Sequence, residues 1–396
     1  MYILDLILLA IGLGLLIPTG VLFVECVAAA VAPAKSRAVE SRRPTIAVLV
    51  PAHNEAAGIG ATLKTIVPQL LPTDRLVVIA DNCTDNTAEI AHACGAIAIE
   101  RHDTNNRGKG YALDYGLKFL ANSPPEVVII IDADCIVEEQ AIEKIAGTAL
   151  QTNRPVQATY IMERPETPSA KNLISALAFT VKNLVRPAGL KQIGLPCLLT
   201  GTGMAFPWAV IAQAPLASGN IVEDMQLAVD LALAGHPAIF CPDAKVTGVL
   251  PNQTAAATTQ RTRWEHGHLQ TLLTQVPRLL QGAFSQKRFD LAGLALDLSV
   301  PPLSLLVMLW LAVMAVAIVI KIAGGSWVPT LFLASLGGLI LVAIFTAWAK
   351  FGRSDFPLST LLAVPVYILW KIPVYLAFLV RRQTNWVRTQ RDAGST

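Results

Sequence analysis

The chain has 396 residues, 53% of them hydrophobic and only 15% charged, with a mean hydropathy of +0.52. An ordinary soluble domain carries about 25% charged residues, so this composition excludes one, and a net charge of +3 offers little to a nucleic-acid backbone. The six cysteines are scattered without a C-x-x-C pair, which argues against a disulfide framework or a zinc site and fits reduced core residues.

Residues 6–24 carry no charge, and about 20 such residues span a bilayer as a helix. They lack a basic leader, so residues 1–31 read as an uncleaved N-terminal transmembrane helix. Lys35, Arg37, Arg42 and Arg43 follow it, and Lys287 and Arg288 precede the next apolar run. Basic residues at both borders predict that the middle domain, 44–285, is cytoplasmic, on a multi-pass protein of the cell (inner) membrane.

Within that domain "IAVLV" (46–50) predicts a strand ended by Pro51, and "GIGATLKTIVPQL" a helix. "RLVVIADNCTDNTAEIAHACG" reads as strand, polar loop and helix, with Thr84 and Asp85 suited to cap the helix and Gly95 to stop it. "AIAIER" is a further strand, "GYALDYGLKFLA" a helix and "EVVIIIDADC" a strand buried on both faces. Strands and helices alternating at short intervals predict an α/β domain with a mostly parallel sheet. Residues 169–185 and 267–282 have apolar positions at helical spacing and few acids, as expected of helices on the inner leaflet. The C-terminal membrane region, 295–380, holds two clean spans at 298–320 and 327–349. Its last segment, 356–380, carries Pro357, Pro365, Pro373 and Lys371 and either spans or is re-entrant, with the tail expected in the cytoplasm.

Polar residues gather at the predicted strand ends, where α/β folds bind ligands. Asp81 suits a base N–H, and Glu55 a ribose or base. In "NNRGKG", Arg107 and Lys109 stand between glycines at a helix start and suit a diphosphate. Asp132 and Asp134 stand two apart on an extended chain, hence on one side, where a hard cation such as Mg²⁺ or Mn²⁺ takes carboxylates and substrate phosphates. The glycines of "GTGMAF", Gly201 and Gly203 with Thr202 between, let a backbone approach an acceptor. His53, His266 and His268 lack metal-ligand spacing.

In order, "PAHNE", "ADNCTD", "RGKG", "DAD", "GTGMAF", "VEDMQLAVDLALAGH" and "QRTRW" resemble the membrane-bound family 2 glycosyltransferases, which include cellulose, chitin and hyaluronan synthases and ceramide glucosyltransferase. The resemblance covers roughly residues 44–270. "QRTRW" matches the family's Q-x-x-R-W in full, whereas "VED" departs at its first residue from the T-E-D of many polymerising members. It implies a nucleotide-diphospho-sugar transferase (GT-A-like) fold and an inverting hexosyltransferase using a nucleotide sugar, UDP-linked by expectation, with Mg²⁺ or Mn²⁺. Asp132 and Asp134 would face the metal-bound diphosphate, Asp224 would be the base and Glu223 an acceptor contact. Arg263 with Gln260 would cap the diphosphate, and Trp264 would offer a platform to an acceptor sugar. Arg261 would share either role or face lipid headgroups; read alone, Arg and Trp here are an interfacial anchor.

Two acceptors follow from the resemblance. The first is a growing polysaccharide, as in exopolysaccharide synthesis, which with so few spans calls for a homo-oligomer or an export partner. The second is a lipid, giving a glycolipid. A different class, a transporter or nucleotide-binding scaffold, would carry functional polar groups inside its spans, and 298–320 and 327–349 carry no charge.

Overall fold

The computed structural model describes residues 1–31, 42–163, 169–217, 222–249 and 254–380, with side chains described over the same ranges except 249, 254–261 and 379–380. Helix α1 (Tyr2–Val31) comes first. Then follow β1 (Ile46–Ala52), α2 (Ile59–Ile66), β2 (Arg75–Asp81), α3 (Thr87–Ala93), β3 (Ile97–Arg101), α4 (Lys109–Leu120), β4 (Val127–Ile130), β5 (Cys135–Val137), α5 (Ala141–Thr152) and β6 (Val156–Glu163). After these come α6 (Ala170–Thr180), a π-helical turn, α7 (Arg186–Gln192), β7 (Met204–Pro207), α8 (Trp208–Ile211), α9 (Glu223–Leu233), β8 (Ile239–Val249) and α10 (Thr254–Gln286). The chain ends with α11 (Phe289–Ser299), α12 (Leu303–Ile322), α13 (Val328–Ala347), α14 (Ser359–Leu362) and α15 (Val364–Val380).

These elements form two compact units, divided within α10 between Gly267 and His268. The first holds the sheet, in the order β3-β2-β1-β4-β7-β6-β8-β5. The strands β1 to β4 pair in parallel, as their β-branched runs with intervening helices require. The expectation of a mostly parallel sheet fails beyond β4: β7 runs antiparallel to β4 and β6, and β5 antiparallel to β8, so the sheet is mixed. Only β6 and β8 in that half are parallel. The β4 strand is buried at all four positions because it lies between β1 and β7 with helices on both faces. Alternate strand residues such as Val48, Val50, Val78 and Ile129 pack with Ile59, Leu63, Ile142 and Ile145 from α2 and α5.

Helices α1, α12 and α13 of the second unit are long and apolar enough to cross a membrane. The span expected at 298–320 starts at Leu303, because Pro301 and Pro302 separate α11 from α12. The apolar part of α15, Val364–Phe378, is shorter than the three span-length helices. The amphipathic stretch around 170–192 belongs to this unit rather than to the sheet, as does α10 from His268 onward.

One buried ion triad ties this second unit together. Arg186 of α7 donates from Nε to Glu25 of α1 at 2.8 Å and from Nη2 to Asp297 of α11 at 2.5 Å. Nη2 also reaches the Asp297 carbonyl oxygen. All three side chains are at most 7% exposed. Gly189, one turn on, lies against the Glu25 backbone, and a β-carbon there would collide with the Glu25 carbonyl oxygen. Removing one member of such a cluster strands charges in a low-dielectric interior. Arg186→Met is therefore expected to destabilise the protein by about 3–5 kcal/mol, seen as a lowered melting temperature in detergent. The triple variant Glu25→Gln, Arg186→Met, Asp297→Asn should recover most of the loss, and a single variant that melts like the parent would contradict this account.

Candidate active site

The site is built where β7 meets β4. Antiparallel pairing sets Met204, the first residue of β7, opposite Ile130, the last of β4. The residues just before β7, Thr200 to Gly203, therefore lie beside those just after β4, Ile131 to Asp134. The backbone N–H of Asp132 donates to Thr202 Oγ1 at 3.0 Å, and Gln157 holds the other side of the loop through Thr202 O at 2.9 Å and Thr200 N at 2.9 Å.

Lys109 reaches the same point from the first turn of α4. Its ammonium donates to Asp132 Oδ1 and, at 2.6 Å, to the carbonyl oxygen of Gly201. Gly201 has φ +92°, and a β-carbon there would stand 3.3 Å from Asp224 Oδ2, 3.6 Å from Lys109 Nζ and 4.0 Å from Asp132 Oδ2. Asp224, Lys109 and Asp132 thus converge on a glycine in a left-handed conformation. Asp224 and Glu223 arrive on the first turn of α9, whose N-terminal dipole favours acids. The Met225 N–H holds Asp224 Oδ1 at 2.8 Å.

Among the described residues, acids outnumber bases in this cluster. Burial pulls the Lys109 ammonium down, but Asp132, Glu223 and Asp224 more than offset it and hold it above its usual range. Burial pushes the Glu223 carboxyl up to about 7; Lys109 opposes the rise, and Asp224 and Asp132 add to it. Burial also raises Asp132, against Lys109 and with Asp134 and Asp224. Asp132 and Asp134, with Cys135, present one ligand atom each within 4.8 Å of one another. This donor set and its surplus of negative charge fit a divalent cation.

Other candidate residues sit elsewhere on the same unit. Asp81 ends β2 buried and accepts from Arg101 Nη1 at 2.6 Å and from Asn82 Nδ2 at 3.0 Å. Arg101 also reaches Asp103 and the Asn106 carbonyl oxygen, tying the loop that leads to Lys109. Glu55 follows β1, its backbone N–H donating to Thr87 Oγ1 at 2.8 Å. The helix cap expected from Thr84 and Asp85 comes from Asp85 alone: Oδ1 accepts from Thr87 N, Oδ2 from Ala56 N, and Asn86 is the N-cap residue. Arg107 is exposed and turned back on Thr104 O at 3.2 Å. Gly203 packs into the sheet, where a β-carbon would press on Ala158 and Val246 at 3.0 Å. Arg263 and Trp264 are half-buried on α10, and the side chain of Gln260 lies outside the described residues. Among the described residues, the buried Arg263 Nε and Thr200 Oγ1 have no hydrogen-bond partner.

Sequence reasoning passed over Arg101, Thr200 and Cys135. The charge closing the apolar strand "AIAIER" was a signal for the first. Cys135 stood directly after "DAD" and read as core.

The family described as glycosyltransferase like family 2 matches residues 44–267. The chain belongs to that family, whose members use nucleotide sugars. It is 26% identical over 270 residues, 63% of its length, to "Probable glycosyltransferase YdaM" of Bacillus subtilis, covering 61% of that protein. It is 26% identical over 239 residues to "Probable glucomannan 4-beta-mannosyltransferase 11" of Arabidopsis thaliana, covering 57% of this chain and 53% of that one. The chain thus spans less than two thirds of each of these relatives. Among solved structures it resembles the mannosyltransferase PcManGT from Pyrobaculum calidifontis in complex with GDP-Man and Mn²⁺, with a TM-score of 0.56 and 20% identity over 92% of this chain and 99% of that one. That likeness agrees with a GT-A-like fold.

Gly201→Ala tests the convergence directly. The added methyl strains the left-handed backbone and presses on Asp224 at 3.3 Å, so glycosyl transfer is expected to fall by about 10²-fold while the melting temperature changes by only a few degrees. Normal turnover in that variant would show that the three side chains do not work as a unit.

Proposed function

We propose that this protein is a membrane-bound, inverting glycosyltransferase that moves a hexose from a UDP-sugar to a polysaccharide acceptor, with its sheet unit in the cytoplasm and α1, α12 and α13 in the bilayer. The observation that carries the reading is the convergence of Lys109, Asp132 and Asp224 on Gly201 at the end of β4.

Asp132 and Asp134 would hold Mg²⁺ or Mn²⁺, which supplies charge neutralisation for the departing diphosphate. Asp224 accepts the proton of the acceptor hydroxyl as its oxygen attacks the anomeric carbon from the face opposite the leaving group. The bond from that carbon to the diphosphate oxygen breaks, and the nucleoside diphosphate departs. Lys109 supports the anionic side of this change, with Arg263, whose buried Nε is without a partner among the described residues, as a second cation for phosphate. Glu223, adjacent to Asp224 but turned about 100° around the helix, contacts the acceptor rather than the same hydroxyl. Asp81, Glu55 and Arg107 serve the nucleotide side. Gly201, Thr202 and Gly203 shape the acceptor side, and Trp264 stacks on an acceptor sugar. The polysaccharide reading rests on "QRTRW" and on the mannosyltransferase relative; product analysis with a lipid acceptor in place of an oligosaccharide distinguishes glycolipid synthesis.

Asp224→Asn should lower transfer by about 10²–10⁴-fold while UDP still binds, measured by product formation beside calorimetry. Chelation of divalent ions should abolish transfer in the parent protein, and Mn²⁺ should restore it. Retained transfer after either treatment would overturn the reading, as would a failure of every UDP-sugar to donate.

Trp264→Leu separates an acceptor platform from a membrane anchor. In detergent, where depth in a bilayer no longer matters, transfer to acceptor should drop by about 10²-fold with donor hydrolysis by water preserved. Near-normal transfer would reduce Trp264 to an anchor.

A further inference from the structure

Cys135 is the residue in this site that the reaction does not use. It opens β5, is fully buried and donates from Sγ to Asp134 Oδ1 at 3.7 Å. The residue packs in the hydrophobic core of the sheet, and its sulfur also approaches the carboxylate pair. Its sulfur and one oxygen from each of Asp132 and Asp134 lie within 4.8 Å of one another. Ligand atoms around one tetrahedral ion stand about 3.6 Å apart, given metal–sulfur and metal–oxygen bonds of about 2.3 and 2.1 Å, so small side-chain rotations would bring these three onto one ion.

We infer that Cys135 makes this centre a two-mode metal site, in which a thiophilic divalent ion such as Zn²⁺ or Cd²⁺ is held by Cys135, Asp132 and Asp134 and competes with Mn²⁺ or Mg²⁺. The inference rests on the assignment of the carboxylate pair to a divalent cation. Hard ions use the carboxylates and substrate phosphates and leave sulfur alone, whereas thiolate selects softer ions. Binding in the second mode forms a metal–sulfur bond and releases the thiol proton to solvent. The thiolate occupies a coordination position otherwise open to a diphosphate oxygen, so the thiophilic ion inhibits transfer, and excess Mn²⁺ relieves the inhibition.

The test is a Cd²⁺ titration of the purified full chain in detergent, followed by the ultraviolet sulfur-to-cadmium charge-transfer band, beside Mn²⁺ binding followed by electron paramagnetic resonance. One Cd²⁺ per chain is expected to raise the band, and Mn²⁺ to compete it away. In Cys135→Ser the band disappears and Cd²⁺ affinity falls on the order of 10–100-fold, while Mn²⁺ affinity changes far less. Asp134→Asn, which keeps all six cysteines, should weaken the band as well and serves where Cys135→Ser melts early. A band of full strength in either variant overturns the inference, because another cysteine then carries the ion. An equal loss of Mn²⁺ and Cd²⁺ affinity in Cys135→Ser overturns it too, because the thiol then only shapes the loop. The two readings fail separately: a protein with the band but no transfer from any nucleotide sugar loses the transferase assignment alone, and one with transfer but no band loses this inference alone.

Discussion

The antiparallel pairing of β7 with β4 is the constraint on which the rest of the site depends. It sets residues about seventy positions apart in the chain side by side, so that Thr202 receives the Asp132 N–H and the Gly201 carbonyl receives Lys109. A parallel β7 would carry the "TGTG" loop to the other end of the sheet and leave Asp132 without either neighbour. Register matters equally. A slip of one residue would turn every β7 side chain to the opposite face of the sheet, in a strand whose Met204, Ala205 and Phe206 are all buried.

The same pairing explains the path of the chain through the aspartates. The β4 strand lies in the middle of the sheet, and β5, the next strand, lies at its edge beside β8. The chain must leave the sheet centre between them, and it does so at Asp132–Asp134. Backbone that turns away from a ladder exposes polar groups that need partners. Thr202 takes the N–H of Asp132, and Cys135 N returns to Asp132 O at 3.2 Å. The turn that carries the two carboxylates is thus anchored by hydrogen bonds at both ends.

Much of this was legible in the order of residues. "IIIDADC" announced a buried strand ending in two acids, "RGKG" a lysine at a helix start, and "VED" acids at another. The direction of the later strands was not legible, since a short run buried on both faces carries no periodicity that separates parallel from antiparallel. Nor was Arg101 legible as the partner of Asp81, because β2 and β3 meet through sheet register, which sets Asp81 against Arg101. The range 44–285 also read as one domain. Residues 169–185, expected as a helix on the inner leaflet, group with the apolar helices, and amphipathic spacing alone does not say which apolar surface a helix will cover.

Two ion clusters in this chain use similar ingredients toward different ends. In the helical unit Arg186 is shared by Glu25 and Asp297, with side-chain exposures of 7%, 2% and 5%. The guanidinium is planar and offers forked donors, so it can bond both acids at once. At the end of β4, Lys109 also faces more than one acid, but its side chain is 17% exposed and that of Asp132 is 30%. A lysine ammonium is a point charge on a flexible stem, so its contact with Asp132 is readily rearranged when another cation arrives. The arginine cluster is closed and holds helices together. The lysine cluster is more exposed and lies at the end of a sheet strand.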